Sequence, residues 1–228
     1  MSLSKWVRRI GKPVIFAACL VPFSLLVADV FQGRLGANPI EEITHRTGDW
    51  TLIFLLVTLG VSPLRRLTGW GVVIQFRRML GLFAFSYGLV HFSIYVVFDH
   101  FFDLAAILED IVKRPYVTVG FTSLMLLVPL AITSTKGWVK RLGGRRWNRL
   151  HQLVYVSAAG GVLHYLWLVK ADTRRPIVFG LVLVALLATR LWRPGKRVAN
   201  RPNRNPVVAQ RGPRDELRVS QDRGSSLG

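Results

Sequence analysis

The stretch RRWNRLHQLVYVSAAGGVLHYLW, residues 145–167, opens with arginines and continues as an apolar run that contains two histidines, His151 and His164. The apolar part, about residues 149–169, approaches the roughly 20 residues that an α-helix needs to cross a bilayer. An ionisable side chain inside such a span is costly, so each histidine is a candidate functional residue. This stretch therefore predicts a membrane helix that carries a site.

The same pattern recurs along the chain and predicts six membrane-spanning helices. They cover residues 13–31, 49–64, 78–98, 115–134, 149–169 and 176–192, and the second is expected to begin before Asp49. Basic residues precede the first run, as in a signal peptide, but no small-x-small cleavage site precedes Asp29, so a retained helix is predicted. The predicted fold class is an all-α integral membrane protein, with a six-helix bundle over residues 13–192.

The charge pattern predicts the orientation of this bundle. The 228 residues are 51% apolar and carry 31 Lys and Arg against 12 Asp and Glu, for a net charge of +19. A cytoplasmic N-terminus places 24 of the 31 basic residues on one side: four in residues 1–12, four after the second span, six after the fourth and ten from Arg190 onward. Cytoplasmic loops carry such an excess, so both termini are predicted to be cytoplasmic.

Composition also excludes several classes of function. The single cysteine, Cys19, allows neither an intrachain disulfide nor a cysteine metal cluster, and no phosphate-binding glycine loop is present. Residues 193–228 are rich in Pro, Arg and Gly and are predicted to be a disordered cytoplasmic tail. A basic tail beside a membrane favours anionic lipid as its partner, not nucleic acid.

Two histidines are predicted to lie at matching depth. His91 is 13 residues past Arg78 in the third span, and His164 is 15 past Arg149 in the fifth. Both helices run outward, so both histidines lie about 20 Å from the cytoplasmic end. Two facing neutral imidazoles are typical axial ligands of a heme iron. A structural role in helix packing is the alternative for each histidine alone.

Three glycines are expected to leave room for a flat macrocycle between these helices, because they precede the paired histidines. They are Gly88, Gly160 and Gly161.

His151 lies about 20 Å closer to the cytoplasm than His164. Its depth suits an inner redox group, but the third helix offers Arg77 and Arg78 there, so the inner site is incomplete in histidines. Arg77 and Arg78 are either topological anchors or donors to a heme propionate or a flavin phosphate. An interfacial role for His151 stays open, and His45 and His100 are expected in outer loops, solvated or facing a partner.

Four segments together resemble one protein family, the MsrQ (YedZ) family of heme-binding membrane subunits, within the ferric-reductase-like transmembrane group. They are RRMLGLFAFSYGLVHFSIYVVFD (77–99), RPYVTVGF (114–121), PLAITS (129–134) and RRWNRLHQLVYVSAAGGVLHYLW (145–167). The resemblance extends from about Trp6 to Trp192 and leaves the tail out. It implies heme b, one or two groups, and a bound flavin mononucleotide (FMN). It also implies ligand roles for His91, His164 and His151.

The resemblance also implies a function. The chain would carry electrons in the bacterial inner membrane to a periplasmic molybdopterin-containing methionine sulfoxide reductase, whose own subunit performs the sulfoxide chemistry. The chain lacks the flavin and NADPH domain of related oxidases, so its donor is expected to be a quinol or a soluble flavin reductase. The rival hypothesis is a small membrane transporter or scaffold with structural or proton-relay histidines.

Overall fold

A computed structural model of the protein describes residues 7–169 and 172–191. The predicted tail, residues 193–228, and the first six residues of the predicted N-terminal segment 1–12 lie outside the described residues. The described part contains these α-helices: α1 (Lys12–Phe31), α2 (Pro39–Thr68), α3 (Arg77–Ile94), α4 (Leu104–Lys113), α5 (Pro115–Ile132), α6 (Lys136–Leu150), α7 (Leu153–Leu168) and α8 (Arg174–Leu191). A 3₁₀ turn (Gly71–Phe76) precedes α3, and π-helical turns adjoin α1 (Val7–Gly11) and α3 (Tyr95–Asp99).

A helix lies at each of the six predicted spans. Four helical segments are long and apolar enough to cross a membrane: Arg9–Phe31, Pro39–Thr68, Gly71–Asp99 and Pro115–Ile132. Helix α7 is apolar but shorter, at 16 residues, and α8 begins at two arginines. The all-helical membrane character is therefore confirmed in the described residues, and the number of six spans stays a prediction.

The second span is longer than its apolar core, as expected. Helix α2 begins at Pro39, whose fixed φ suits the first helical turn, and the Asn38 side chain accepts a hydrogen bond from the Glu41 amide at 3.4 Å. It ends at Gly69, whose φ of 72° lies in the left-handed region. The polar first turns of α2 thus extend beyond the apolar run predicted from residue 49.

Two segments predicted as loops are helical. Asp103 caps α4 by accepting the amides of Ala105 and Ala106 at 3.0 and 3.1 Å. Thr135 caps α6 by accepting the Trp138 amide at 3.3 Å, and Gly143, with a φ of 71°, breaks that helix in its middle. Helix α4 is too short and α6 is too charged to be predicted as a membrane span from hydropathy.

The core lies where two helix pairs meet. Helix α2 packs along α3, α5 packs along α7, and α8 contacts both α2 and α7. The buried side chains of this core are Leu52, Phe54, Leu55, Leu59, Ala84, Tyr87, Leu127, Val154 and Ala158, among others. Helix α1 instead exposes most of its apolar residues, as a lipid-facing helix does.

The Tyr87 hydroxyl of α3 hydrogen-bonds to the backbone of α1 beside Pro22, which interrupts that helix. Pro22 interrupts the hydrogen-bond ladder of α1. The Tyr87 hydroxyl accepts the Phe23 amide at 3.0 Å and donates to the Cys19 carbonyl at 2.9 Å, so it lies between two backbone groups that are four residues apart and are bonded through it. Unpaired backbone groups are costly inside a membrane, and this hydroxyl satisfies both. Since Tyr87 lies one turn before His91, it also ties α1 to the site described below.

We expect Tyr87→Phe to lower the free energy of unfolding by about 2 kcal/mol, because two buried backbone groups lose their partner. Thermal unfolding of the purified protein in one detergent measures the change. Ser86→Ala is the matched control, since the Ser86 hydroxyl is exposed and bonds only the Leu82 carbonyl of its own helix at 3.0 Å. Equal losses in both variants would contradict the bridging role of Tyr87.

Candidate functional site: a histidine pair between two helix pairs

His91 and His164 face each other inside the bundle. Their ring centroids are 6.3 Å apart. The Nδ1 atom of His91 lies 2.9 Å from the Thr44 carbonyl, and that of His164 lies 2.7 Å from the Tyr116 carbonyl. A carbonyl only accepts hydrogen bonds, so each Nδ1 carries a proton in the neutral ring and each Nε2 keeps its lone pair. Both rings are thus prepared to bind a metal through Nε2.

The spacing of the two rings fits one metal ion between them. A metal–imidazole bond measures about 2 Å, and two such bonds on opposite sides of one ion, with the two ring radii, separate the centroids by roughly 6 Å. In the described residues no group of three or more His, Cys, Asp or Glu side chains could hold a metal. The residues present therefore suit axial ligation of a planar metal group, with the protein supplying two ligands.

Glycines leave space for the two imidazole rings, and two of these glycines, Gly48 and Gly120, are not among the three predicted ones. A Cβ atom at Gly120 would lie 2.7 Å from His164 Nδ1, and one at Gly48 would lie 3.2 Å from His91 Cε1. Of the predicted glycines, Gly88 and Gly161 line the cavity beside the histidines. Gly48 and Gly120 lie on other helices than the histidines, so their role depends on helix pairing that no local pattern encodes.

Gly160 does not have the predicted role of leaving room for a macrocycle. A Cβ atom there would lie 2.2 Å from Ser123 Oγ, so Gly160 permits the close approach of α7 to α5. One turn earlier on α7, the Ser157 hydroxyl donates to the Ser123 carbonyl at 2.8 Å. Small and hydroxyl residues at a crossing are typical of membrane helix pairs. Gly160 therefore allows α7 to pack closely against α5 about one turn before His164.

The cavity at the histidine pair is apolar on one side and polar on the other. Its apolar wall comes from α2 and α5, and the residues are Leu52, Leu55, Leu124 and Leu127. Its polar end includes Thr44, His45, Asp49, Tyr95, Asp110, Arg114, Tyr116 and Tyr165. A porphyrin has an apolar body and charged propionates, so this division of the lining suits it. The tautomers, the ring spacing and the lining all fit a heme.

The polar end contains a buried acid with a free oxygen. Asp49 pairs with Arg175 at 2.8 Å, and its side chain is 14% exposed. Its second oxygen, Oδ1, is buried and has no hydrogen-bond partner among the described residues. His45 lies on α2 with its side chain 37% exposed, so the expectation of an outer loop is wrong for this residue.

His100 is also placed differently from the expectation. Its side chain is 13% exposed, and its Nε2 atom lies 3.4 Å from Asp110 and 3.5 Å from the Tyr95 hydroxyl. The prediction of a solvated or partner-facing residue is wrong here, because a turn after α3 folds His100 back under α4. No sequence period indicates such a turn.

His151 lies apart from the pair, at the junction of α6 and α7. Its Nε2 atom is 3.2 Å from the Thr133 hydroxyl, which itself donates to the Pro129 carbonyl at 2.6 Å. The Thr133 oxygen therefore accepts a hydrogen bond from His151, and a neutral His151 carries its proton on Nε2. The ring stacks on Trp147 with centroids 3.9 Å apart. His151 thus lacks the free Nε2 that His91 and His164 offer.

The two neighbouring arginines have different surroundings. Arg77 is half-buried, with Nη1 3.5 Å from the Ser62 hydroxyl. Arg78 is exposed. The structure therefore packs Arg77 against the bundle at Ser62 and leaves Arg78 on the surface.

Two further arginines join Arg77 and were missed as site residues. Arg190 donates to the Leu59 carbonyl at 3.1 Å and lies over the Tyr155 ring at 4.7 Å, and Arg66 contacts the Thr189 carbonyl at 3.5 Å. No carboxylate lies within 4.0 Å of Arg66, Arg77 or Arg190 among the described residues. We call these three residues the inner arginine cluster. Arg190 is predicted from the sequence only as a cytoplasmic charge. Its position in the last turn of an apolar helix could have predicted a site residue.

Comparison with known proteins agrees with this architecture. Residues 46–162 match the family described as the ferric reductase like transmembrane component. This range contains His91 and His151 and ends just before His164. The chain therefore belongs to the class of ferric-reductase-like membrane proteins.

Curated relatives narrow the class. The protein-methionine-sulfoxide reductase heme-binding subunit MsrQ of Herminiimonas arsenicoxydans is 55% identical over 192 residues, which is 83% of this chain and 88% of the relative. Proteins with the same name from Rhodospirillum rubrum and Xanthomonas euvesicatoria are 53% and 51% identical, over 80% of this chain and 88% and 86% of their own lengths. The chain belongs to the MsrQ family.

We expect Gly120→Ala to reduce the heme-to-protein ratio several-fold, because the new methyl group displaces the His164 ring and breaks its bond to the Tyr116 carbonyl. Overpacking of this kind costs roughly 1–3 kcal/mol. The ratio is measured by absorbance of the purified protein after conversion to the pyridine complex. Gly60→Ala is the control, since a Cβ atom there would meet Leu186 at an ordinary 3.8 Å. An unchanged ratio in Gly120→Ala would contradict this packing.

Proposed function

We propose that the protein is a membrane b-type cytochrome that carries electrons outward across the bacterial inner membrane to a periplasmic methionine sulfoxide reductase. The observation that carries this proposal is the His91–His164 pair, with Nδ1 bonded to backbone carbonyls and Nε2 free on both rings. The relatives named above are heme-binding subunits of a methionine sulfoxide reductase, which supports the same function.

In this proposal His91 and His164 would hold one heme b through their Nε2 atoms. The heme supplies one-electron redox chemistry at its iron. The Thr44 and Tyr116 carbonyls hold the two imidazoles in the orientation and tautomer that ligation needs, and this hydrogen bond raises the basicity of each ligand. The leucine wall keeps water from the site, which together with the ligands sets the potential. The chain's own residues thus hold, orient and insulate the carrier.

The proposed membrane topology and direction of electron transfer follow from the uneven distribution of basic residues between the two sides of the membrane. Six crossings with cytoplasmic termini place the histidine pair in the outer half of the bilayer and His151 near the inner face. Electrons then enter at the inner arginine cluster and leave near the histidine pair. The donor is a quinol or a cytoplasmic flavin reductase.

We propose FMN as the inner redox group. Its phosphate is dianionic, and Arg77 together with Arg66 and Arg190 offers forked donors without a competing carboxylate nearby. A second heme is less well supported, because no histidine faces His151 among the described residues. The proposed role of His151 is to support the inner group from the α6–α7 junction, with Trp147 stacked on its ring.

The sulfoxide chemistry belongs to the partner in this proposal. The resemblance to the MsrQ family implies a molybdopterin-containing periplasmic subunit that performs this step. The protein's contribution is to present electrons at the periplasmic face of the membrane.

Single replacement of either paired histidine tests the proposal. We expect His91→Ala and His164→Ala to lose the low-spin heme spectrum or to keep a high-spin remnant, because one axial ligand is gone. The measurement is the reduced-minus-oxidised visible spectrum with the heme-to-protein ratio. Ser86→Ala is the control, since the exposed Ser86 hydroxyl does not line the cavity and bonds only the Leu82 carbonyl of its own helix. A wild-type protein without b-type bands would favour the transporter or scaffold hypothesis.

Adjacent arginines provide a matched test of the inner site. We expect Arg77→Gln to weaken FMN retention by about tenfold or more, as the loss of a charge-assisted hydrogen bond predicts, and to slow heme reduction by a cytoplasmic flavin donor. Arg78→Gln should behave like the wild type because Arg78 is exposed. The measurements are flavin fluorescence per protein and the rate of heme reduction.

His151→Ala is expected to slow heme reduction by the cytoplasmic flavin donor, while the heme at His91 and His164 stays bound. Loss of the outer heme in this variant would assign His151 to the main site instead. Identical flavin content in the Arg77 and Arg78 variants would remove the inner arginine cluster from the proposal.

A further inference from the structure

Helix α4 carries an apolar surface that nothing in the described chain covers. Leu104, Leu108 and Val112 follow each other at intervals of four residues, so they form one stripe along the helix. Phe101 and Phe102 extend this stripe from the preceding turn. All five side chains are between 64% and 81% exposed. We call these five residues the α4 apolar face.

The turn before α4 holds the two phenylalanines outward. Phe101 and Phe102 have φ values of 46° and 65°, in the left-handed region that side chains with a Cβ rarely adopt. The turn is fixed by bonds from the Phe102 amide to the Val96 carbonyl at 3.0 Å and from the Asp103 amide to the His100 carbonyl at 2.8 Å. The turn therefore presents both aromatic rings to the surroundings.

The chain keeps α4 close to the plane of the membrane surface. A spanning segment ends at Asp99 and the next begins at Pro115. Only residues 100–103 and Arg114 connect α4 to these two segments. The helix is about 15 Å long, so with both ends held at one boundary its axis lies nearly parallel to that boundary. This geometry holds whichever side of the membrane is involved.

The opposite side of α4 is bound to the bundle. Ile107 is buried, and Asp110 accepts the Tyr95 hydroxyl at 3.2 Å and pairs with His100 and Arg114 at 3.4 and 3.0 Å. Tyr95, Asp110 and Arg114 also line the cavity that contains His91 and His164. Helix α4 therefore forms part of the wall at the polar end of this cavity.

We propose that α4 is an in-plane interfacial helix whose apolar face contacts the lipid at the headgroup–acyl boundary, and that this contact holds the Asp110 side of α4 against the histidine cavity. The charged pair Glu109 and Lys113 then faces the aqueous side. Amphipathic helices with bulky apolar residues on one face bind membranes in this way. A protein partner on the same surface is the competing occupant.

Lipid contact is tested by spin labels in the full-length protein, in vesicles of phosphatidylethanolamine and phosphatidylglycerol without any partner protein. Cys19 is buried and is replaced by Ala, and Leu108→Cys or Glu109→Cys carries the label. We expect the label at 108 to collide more with oxygen and less with an aqueous nickel chelate than the label at 109. Equal nickel access at both positions would overturn the proposal and leave the face free for a protein partner.

A second experiment tests whether lipid contact of the α4 apolar face affects the histidine cavity. This experiment rests on the proposed heme site. We expect Leu108→Asp to release heme several-fold faster than the wild type in the same vesicles, and Glu109→Gln to release it at the wild-type rate. Equal rates in both variants would overturn the coupling. The label experiment needs no heme, so a failure of the proposed function and a failure of the lipid contact give different results.

Discussion

An imidazole bonded to a backbone carbonyl is the interaction on which the site depends. The Thr44 and Tyr116 carbonyls bind Nδ1 of His91 and His164, whose ring centroids lie 6.3 Å apart, and this leaves the lone pair of each neutral ring on Nε2. Thr44 and Tyr116 lie in the first two turns of their helices, and a carbonyl oxygen has two lone pairs, so each can accept an imidazole N–H in addition to its helical hydrogen bond. The position of the ring pair is thus fixed by where α2 and α5 begin.

Close helix crossings make this arrangement sterically feasible. Gly120 and Gly48 leave room for the two rings, while Gly160 allows α7 to approach α5 at Ser123. Apolar side chains gain little from leaving lipid for protein, so van der Waals contact between small residues and hydrogen bonds must hold these helices together. The Tyr87 hydroxyl at the break in α1 serves the same need, since it satisfies backbone groups that lipid cannot.

The two ends of the bundle differ in charge chemistry. At the end near the histidine pair, basic residues pair with acids, as Arg175 does with Asp49 and Arg114 does with Asp110. At the other end, Arg66, Arg77 and Arg190 contact only backbone, hydroxyl or aromatic groups among the described residues. Arg77 and Arg190 are half-buried without an acid and Arg66 is exposed beside them. Such guanidinium groups favour an anion from outside the chain, and this difference supports the proposed entry of electrons at that end.

Sequence by itself determined the membrane class and the places of the helices at the six predicted spans, and it predicted the equal depth of His91 and His164, because hydropathy and a fixed rise per residue are local properties. It also determined the family, through four short segments taken together. Only the tertiary structure decided which glycines serve the rings, that Arg77 and not Arg78 faces inward, and that Arg190 belongs to the inner arginine cluster. It likewise decided the burial of His100 and the tautomers of the three histidines. These features depend on rotation about each helix axis and on carbonyls supplied by distant helices, and neither is encoded in the spacing of residues along one helix.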